Sequence, residues 1–193
     1  MLGAHLGNFF LVGTRLAIEN YPSWVLINQP RNRQFAKFMD DYRLKVQQKT
    51  IHARPRREAL RKLYQVLRDN ELAVVIADEY RRANGIHMPF FGHTVLARRG
   101  PATLALRTGA AVVPVYLIHD KSLGLRLIVE SELDLVRNDK DKAAIRENTL
   151  RMTQWLEKTV LIYPEQWNWM NIHWQDDLEK VVAKEQRIQD LTS

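Results

Sequence analysis

Two uninterrupted apolar runs, Ala73 to Ala77 (AVVIA) and Ala111 to Ile118 (AVVPVYLI), limit what this chain can fold into more than any other feature. A strand wetted on one side alternates apolar and polar residues, so a run without polar breaks fits a strand covered on both faces. Leu125 to Glu130 reads as a third buried strand, and Ser23 to Asn28 (SWVLIN) is strand-like. Between them the spacing turns helical. Phe35, Phe38, Met39, Tyr42 and Val46 share one period; Leu60, Leu63, Tyr64 and Leu67 share another within Arg56 to Arg68. Ile145, Met152, Leu156 and Val160 predict the inner face of a long helix over Asp141 to Ile162. Gly100-Pro101 opens a helix through Arg107 that Gly109 can end, and Asn8 is a candidate N-cap for a helix to Glu19. Helices alternating with buried strands predict a three-layer α/β domain with a largely parallel sheet.

With 193 residues and no internal repeat or low-complexity linker, the chain reads as one domain, 1–193, ending in a polar helical tail from Gln175 onward. No cysteine is present, which excludes disulfides and cysteine-based nucleophile or metal chemistry. Six scattered histidines show no ligand-like pairing, so no metal site is expected. The net charge of +7 favours anionic partners, and it is concentrated: Arg31 to Arg68 holds twelve lysines and arginines against Asp40, Asp41 and Glu58. On charge alone this region is as readily a solvated helical face as a docking surface. No nucleic-acid motif accompanies it, and nucleic acid is not expected as a partner. No run reaches the roughly 18 apolar residues of a membrane span, so any membrane contact of this stretch is expected to be peripheral.

In open α/β sheets ligands collect beyond the carboxyl ends of the strands. Two segments fall there, Met1 to Phe10 and Asp78 to Gly100, and both read as loops. His5 stands in the first, ahead of a helix whose positive end disfavours a charged imidazole. A neutral imidazole can act as a general base, and Gly7 permits a close approach by backbone or substrate. Taken alone, a histidine in a glycine-containing turn is more often structural. The second segment opens with Asp78 and Glu79, continues through Arg81 and Arg82, and reaches Arg98, Arg99, Gly100 and Pro101 at a helix start. Adjacent arginines beside free backbone N–H groups suit a phosphate or carboxylate, although the same charges can simply pair with one another. Trp167, Trp169 and Trp174 crowd the end of the chain, where they can line an acyl groove, sit at a membrane boundary or anchor the core. At least one is expected in the core.

These pieces, in this order, resemble the lipid A lauroyl/myristoyl acyltransferase family within the lysophospholipid acyltransferase superfamily. Gly3-Ala4-His5-Leu6-Gly7-Asn8-Phe9 resembles its His-x-Gly-Asn-aromatic block, and Asp78-Glu79 takes the place of an Asp-Gln pair. Gly85 to Gly92, Gly100 to Pro114 and Pro164-Glu165-Gln166-Trp167 through Trp169 are similar to three further blocks. Arg31 and Arg43 match more loosely the family's two spaced arginines. The resemblance covers about residues 3 to 174. It implies a glycerolphosphate-acyltransferase-like fold and transfer of a fatty acyl chain from an acyl carrier protein or coenzyme A thioester to a hydroxyl of a membrane lipid. No cofactor is implied beyond that thioester. His5 is the implied base, with Asp78 and Glu79 as catalytic carboxylates and Asn8, Arg31, Arg43, Arg99 and Gly100 on the substrate side. The cytoplasmic face of the bacterial inner membrane is the implied location, with its anionic lipid surface as a partner.

Two departures stand out. The family has Glu or Asp five residues after the histidine, where this chain has Phe10, which can neither orient an imidazole nor stabilise its protonated form. Either another carboxylate such as Asp78 or Glu79 meets His5 in space, or catalysis is weakened or lost and the chain is a lipid- or acyl-binding homologue. Family members also carry an anchor helix and a strand ahead of the motif, whereas four residues precede His5 here, so a truncated start with one sheet edge missing is expected.

Overall fold

A computed structural model describes residues 1–80, 85–137 and 142–175. Strand β1 (Leu2–Gly3) is followed by a 3-10 turn (Phe9–Leu11) and helix α1 (Val12–Ile18). Then come β2 (Ser23–Ile27), α2 (Arg33–Lys45), β3 (Lys49–His52), α3 (Arg56–Arg68) and β4 (Leu72–Ile76). A hairpin of β5 (Ile86–Phe90) and β6 (His93–Ala97) precedes α4 (Gly100–Thr108), β7 (Val115–Asp120), β8 (Gly124–Val129) and the long α5 (Lys142–Ile162).

The central sheet has four parallel strands in the order β1-β4-β2-β3. β7 is drawn alongside β1 by the parallel bridges Leu2 to Pro114 and Gly7 to Leu117. Alternation along β4 explains the layers. Val74 packs with Val12 and Leu16 of α1 and with Val115 and Leu117 on one face. Its neighbour Ala73 packs with Leu63 and Val66 of α3 and Leu104 of α4 on the other. The largest cluster joins Leu2, Tyr116 and Ile118 to Ala102 and Ala105 of α4 and to Met152, Leu156 and Val160 of α5. Helices thus cover both faces of a parallel sheet, the three-layer α/β architecture expected.

Several local expectations change. The segment from Asp78 to Gly100 is no simple loop, because it contains the β5–β6 hairpin; Pro89 in β5 and the polar His87 hide the strand pattern. Its two-residue turn, Phe91-Gly92, has both residues at positive φ, the geometry that matches the twist of a tight hairpin. The run from Ala111 becomes a strand only at Val115. The third "buried" run is a correction: β8 pairs antiparallel with β7 as an edge strand, and Leu125 and Val129 are exposed. Asn8 caps nothing with its side chain, since the helix enters through the 3-10 turn. The apolar stripe of α2 does not face the core either: Phe35 and Phe38 are exposed and Ala36 is the helix's buried residue. Arg81 and Arg82, and the tail beyond Gln175, lie outside the described residues.

Candidate active site

All four parallel strands deliver their carboxyl ends to one side of the sheet. A groove of about 1420 Å³ opens there, lined by His5 after β1, Glu79 after β4, Asn28 and Pro30 after β2, and Ala53 and Arg54 after β3. α2 and α3 contribute Phe35, Met39, Arg43, Arg56, Leu60 and Leu63 to its walls, which accounts for Phe35 and Met39 of the α2 stripe lying outside the core.

β1 and β4 are direct neighbours, so the residues that leave them meet. The Nδ1 of His5 and Oδ1 of Asp78 are 2.7 Å apart, and the His5 backbone N–H donates to Asp78 Oδ2, also at 2.7 Å. Asp78 is 1% exposed, and its Oδ2 accepts a further bond of 2.8 Å from Nε1 of Trp167. A buried carboxylate is tolerable when its lone pairs are filled in this way. With Nδ1–H held by the carboxylate, Nε2 is the nitrogen left to the groove. Burial by itself disfavours the imidazolium, but the hydrogen bond and charge of Asp78, with the charge of Glu79 behind them, outweigh it and raise the His5 pKa.

The loop that carries His5 is braced by the signature near the chain's end. Gly7 N–H donates to Gln166 O at 2.8 Å, and Asn168 N–H to His5 O at 2.9 Å. Gln166 itself is fixed by a reciprocal pair of bonds to the backbone of His119, of 2.8 and 3.0 Å. Of the three tryptophans, Trp167 is the core anchor at 4% exposure, while Trp169 is half-exposed. The bond from Trp167 to Asp78 was not legible in the sequence, where aromatic density and the family block of Pro164 to Trp169 marked the residue without its partner. Gly7 has φ of +54°, and a Cβ there would run into the carbonyl oxygen of Leu117. The close approach that Gly7 permits is therefore to β7. Gly7→Ala is expected to cost about 3 kcal/mol or more, from strain and clash together, read as a lowered denaturation midpoint.

The other residues singled out from the sequence divide. Glu79 lines the groove and faces Arg98, with 3.8 Å between Oε2 and Nη2. Arg43 lines it too, held by Asp40 at 3.2 Å. Asn8, Arg31, Arg99 and Gly100 are exposed and are not among the lining residues. Of the adjacent arginines it is Arg98 that reaches the groove, whereas the Arg99 carbonyl accepts the N–H of Thr103 in the first turn of α4. Phe10 lies at the groove, 72% exposed and against Phe9, whose ring meets the His5 imidazole edge-on with 4.7 Å between centroids.

The chain is similar to a phosphatidylinositol mannoside acyltransferase of Mycolicibacterium smegmatis, 27% identical over 179 residues, covering 90% of this chain and 56% of that protein. A phosphatidylinositol mannoside acyltransferase of Mycobacterium tuberculosis is 28% identical over 114 residues, 59% of this chain and 34% of that one. The chain spans about half the length, or less, of these curated relatives. The sequence profile of the bacterial lipid A biosynthesis acyltransferases matches residues 1–176, and the chain belongs to that family.

Proposed function

We propose that this protein is an acyltransferase that moves a fatty acyl chain from an acyl carrier protein or coenzyme A thioester to a hydroxyl of a membrane glycolipid or phospholipid. The observation that carries the reading is the 2.7 Å contact between His5 Nδ1 and Asp78 Oδ1. Asp78 supplies the orientation and charge that a carboxylate at position 10 would supply, which favours an active enzyme over an acyl-binding homologue. In this reading Nε2 of His5 takes the proton of the acceptor hydroxyl as its oxygen attacks the thioester carbonyl. The tetrahedral intermediate then expels the thiolate, which recovers the proton from the imidazolium. Asp78 holds the tautomer and stabilises the transient imidazolium, and Glu79 adds negative charge beside it. The thioester is already activated, so no resident cofactor or metal enters these steps.

The acceptor class follows the family and the relatives: a lipid A type glycolipid or a phosphatidylinositol mannoside. None of the described helices is long and apolar enough to cross a membrane. Exposed Phe10, Phe35 and Phe38, beside the basic region from Arg31 to Arg68, suit peripheral contact with an anionic surface at the cytoplasmic face of the inner membrane. The basic region is equally suited to an acidic carrier protein.

The reading is tested by acyl transfer from carrier-protein and coenzyme A thioesters to mixed membrane lipids. Phe10→Glu is a pointed variant in that assay. Because Asp78 already occupies Nδ1 and position 10 faces water, the substitution is expected to leave the rate within about fivefold of the parent. A rise of orders of magnitude would mean that Asp78 does not do the acid's work.

A further inference from the structure

The brace across the His5 loop fixes a second polar side chain beside the imidazole. Leu6 and Trp167 form an antiparallel bridge, flanked by the bonds from Gly7 N–H to Gln166 O (2.8 Å) and from Asn168 N–H to His5 O (2.9 Å). In that register His5 stands directly opposite Asn168. Directly opposed residues of an antiparallel pair share a face, with Cβ atoms about 5 Å apart. Leu6 and Trp167 are buried in the core, so His5 and Asn168 turn the other way, and both line the groove. The Asn168 amide is oriented as well. Its Oδ1 accepts the backbone N–H of Met170 at 3.1 Å, a bond only the carbonyl side of an amide can accept. Nδ2 donates to no described residue, and its two hydrogens leave a donor to spare even where one is engaged. Arg98 also lines this end of the groove, where it faces Glu79 at 3.8 Å.

We propose that Asn168 is a further catalytic residue, whose Nδ2 donates to the carbonyl oxygen of the acyl thioester as that oxygen becomes negative. This rests on the acyl-transfer reading and adds to it the group that stabilises its intermediate. As the acceptor oxygen bonds to the thioester carbon, its proton passes to His5 Nε2 and the carbonyl π electrons move onto the carbonyl oxygen. The acid–base pair takes the proton but offers that oxygen nothing. A neutral donor already held in place strengthens its bond as the charge grows, and so favours the transition state over the bound thioester. When the C–S bond breaks, the charge leaves with the thiolate and the oxygen is again a carbonyl.

Asn168→Ser tests the assignment. A serine hydroxyl can still accept the Met170 N–H and keep the turn, but it carries no amide to reach the carbonyl oxygen. In acyl transfer, kcat is expected to fall about 100- to 1,000-fold, with KM for the thioester within about threefold of the parent. The acid limb of the rate profile is expected at the parent's pH and the thermal midpoint unshifted. Neither the His5–Asp78 contact nor the backbone bond to His5 O involves the amide. A kcat within about fivefold of an active parent overturns the assignment and leaves the acyl-transfer reading standing. A loss of rate accompanied by a displaced acid limb or a lowered midpoint also overturns it, since Asn168 would then act by holding His5 or the fold. A folded parent that transfers no acyl chain sinks the acyl-transfer reading, and the oxyanion donor with it.

Discussion

Substituting His5 by alanine is expected to lower kcat for acyl transfer by about 100- to 10,000-fold, the usual contribution of a positioned general base. The side chain is 17% exposed, bonds Asp78 and meets Phe9 edge-on, so the variant loses some packing as well as the proton acceptor, and its denaturation midpoint is read beside the rate to separate the two. KM for the thioester is expected to change little, because the imidazole acts on the acceptor hydroxyl. The comparison is initial rates with a labelled thioester at saturating lipid. A variant within tenfold of the parent in kcat would remove His5 from the mechanism.

Asp78→Asn is expected to cost nearly as much in rate, about 100-fold or more, and also to destabilise the fold. Three donors converge on this carboxylate: the His5 ring, the His5 backbone and the Trp167 indole. Asparagine keeps one acceptor oxygen and turns two hydrogens towards groups that are themselves donors. One buried donor loses its partner, at about 1–3 kcal/mol. The histidine also feels the change. Its pKa is raised in the folded protein chiefly by Asp78 acting against burial, so the pair's contribution to stability is complete below the unfolded value of 6.5. That contribution fades as pH rises through the higher folded value. The stability gap between parent and Asp78→Asn is therefore expected to be widest in mild acid and to narrow above neutrality, as read by denaturant melts across that range.

How much of this was legible in the sequence varies from element to element. Helix α3 has the bounds its spacing indicates, Arg56–Arg68, but its inward residues are Ala59, Leu63 and Val66, with Tyr64 and Leu67 packed beside them, while Leu60, expected inside, is exposed at the groove. β4 was equally plain, since a strand between two parallel neighbours shows no polar break. β8 misled because Leu125, Leu127 and Ile128 look like a buried run, and an antiparallel edge strand of the same composition differs only in its surroundings. Phe35 and Met39 on α2 misled for another reason: a groove wall and a core face use the same apolar residues. His5 and Asp78 are 73 residues apart, and their meeting depends on β4 being inserted beside β1, a crossover that local patterns do not encode. The resemblance made that contact a candidate; sheet order explains it. Arg54 and Arg56 were hidden within a long basic stretch, where nothing marks out the cations that turn towards a groove.

The pH dependence of kcat/KM, in the parent and in Asp78→Asn, tests the central claim most directly. A general base must be neutral to act, so activity climbs with pH through the histidine's pKa. The parent's acid limb is expected to lie above the ordinary histidine value of 6.5, and the limb of Asp78→Asn to move to lower pH as its height falls. An acid limb at the same pH in both proteins, or measurable transfer with no histidine-like limb at all, would contradict the assignment of His5 and Asp78 as the working pair.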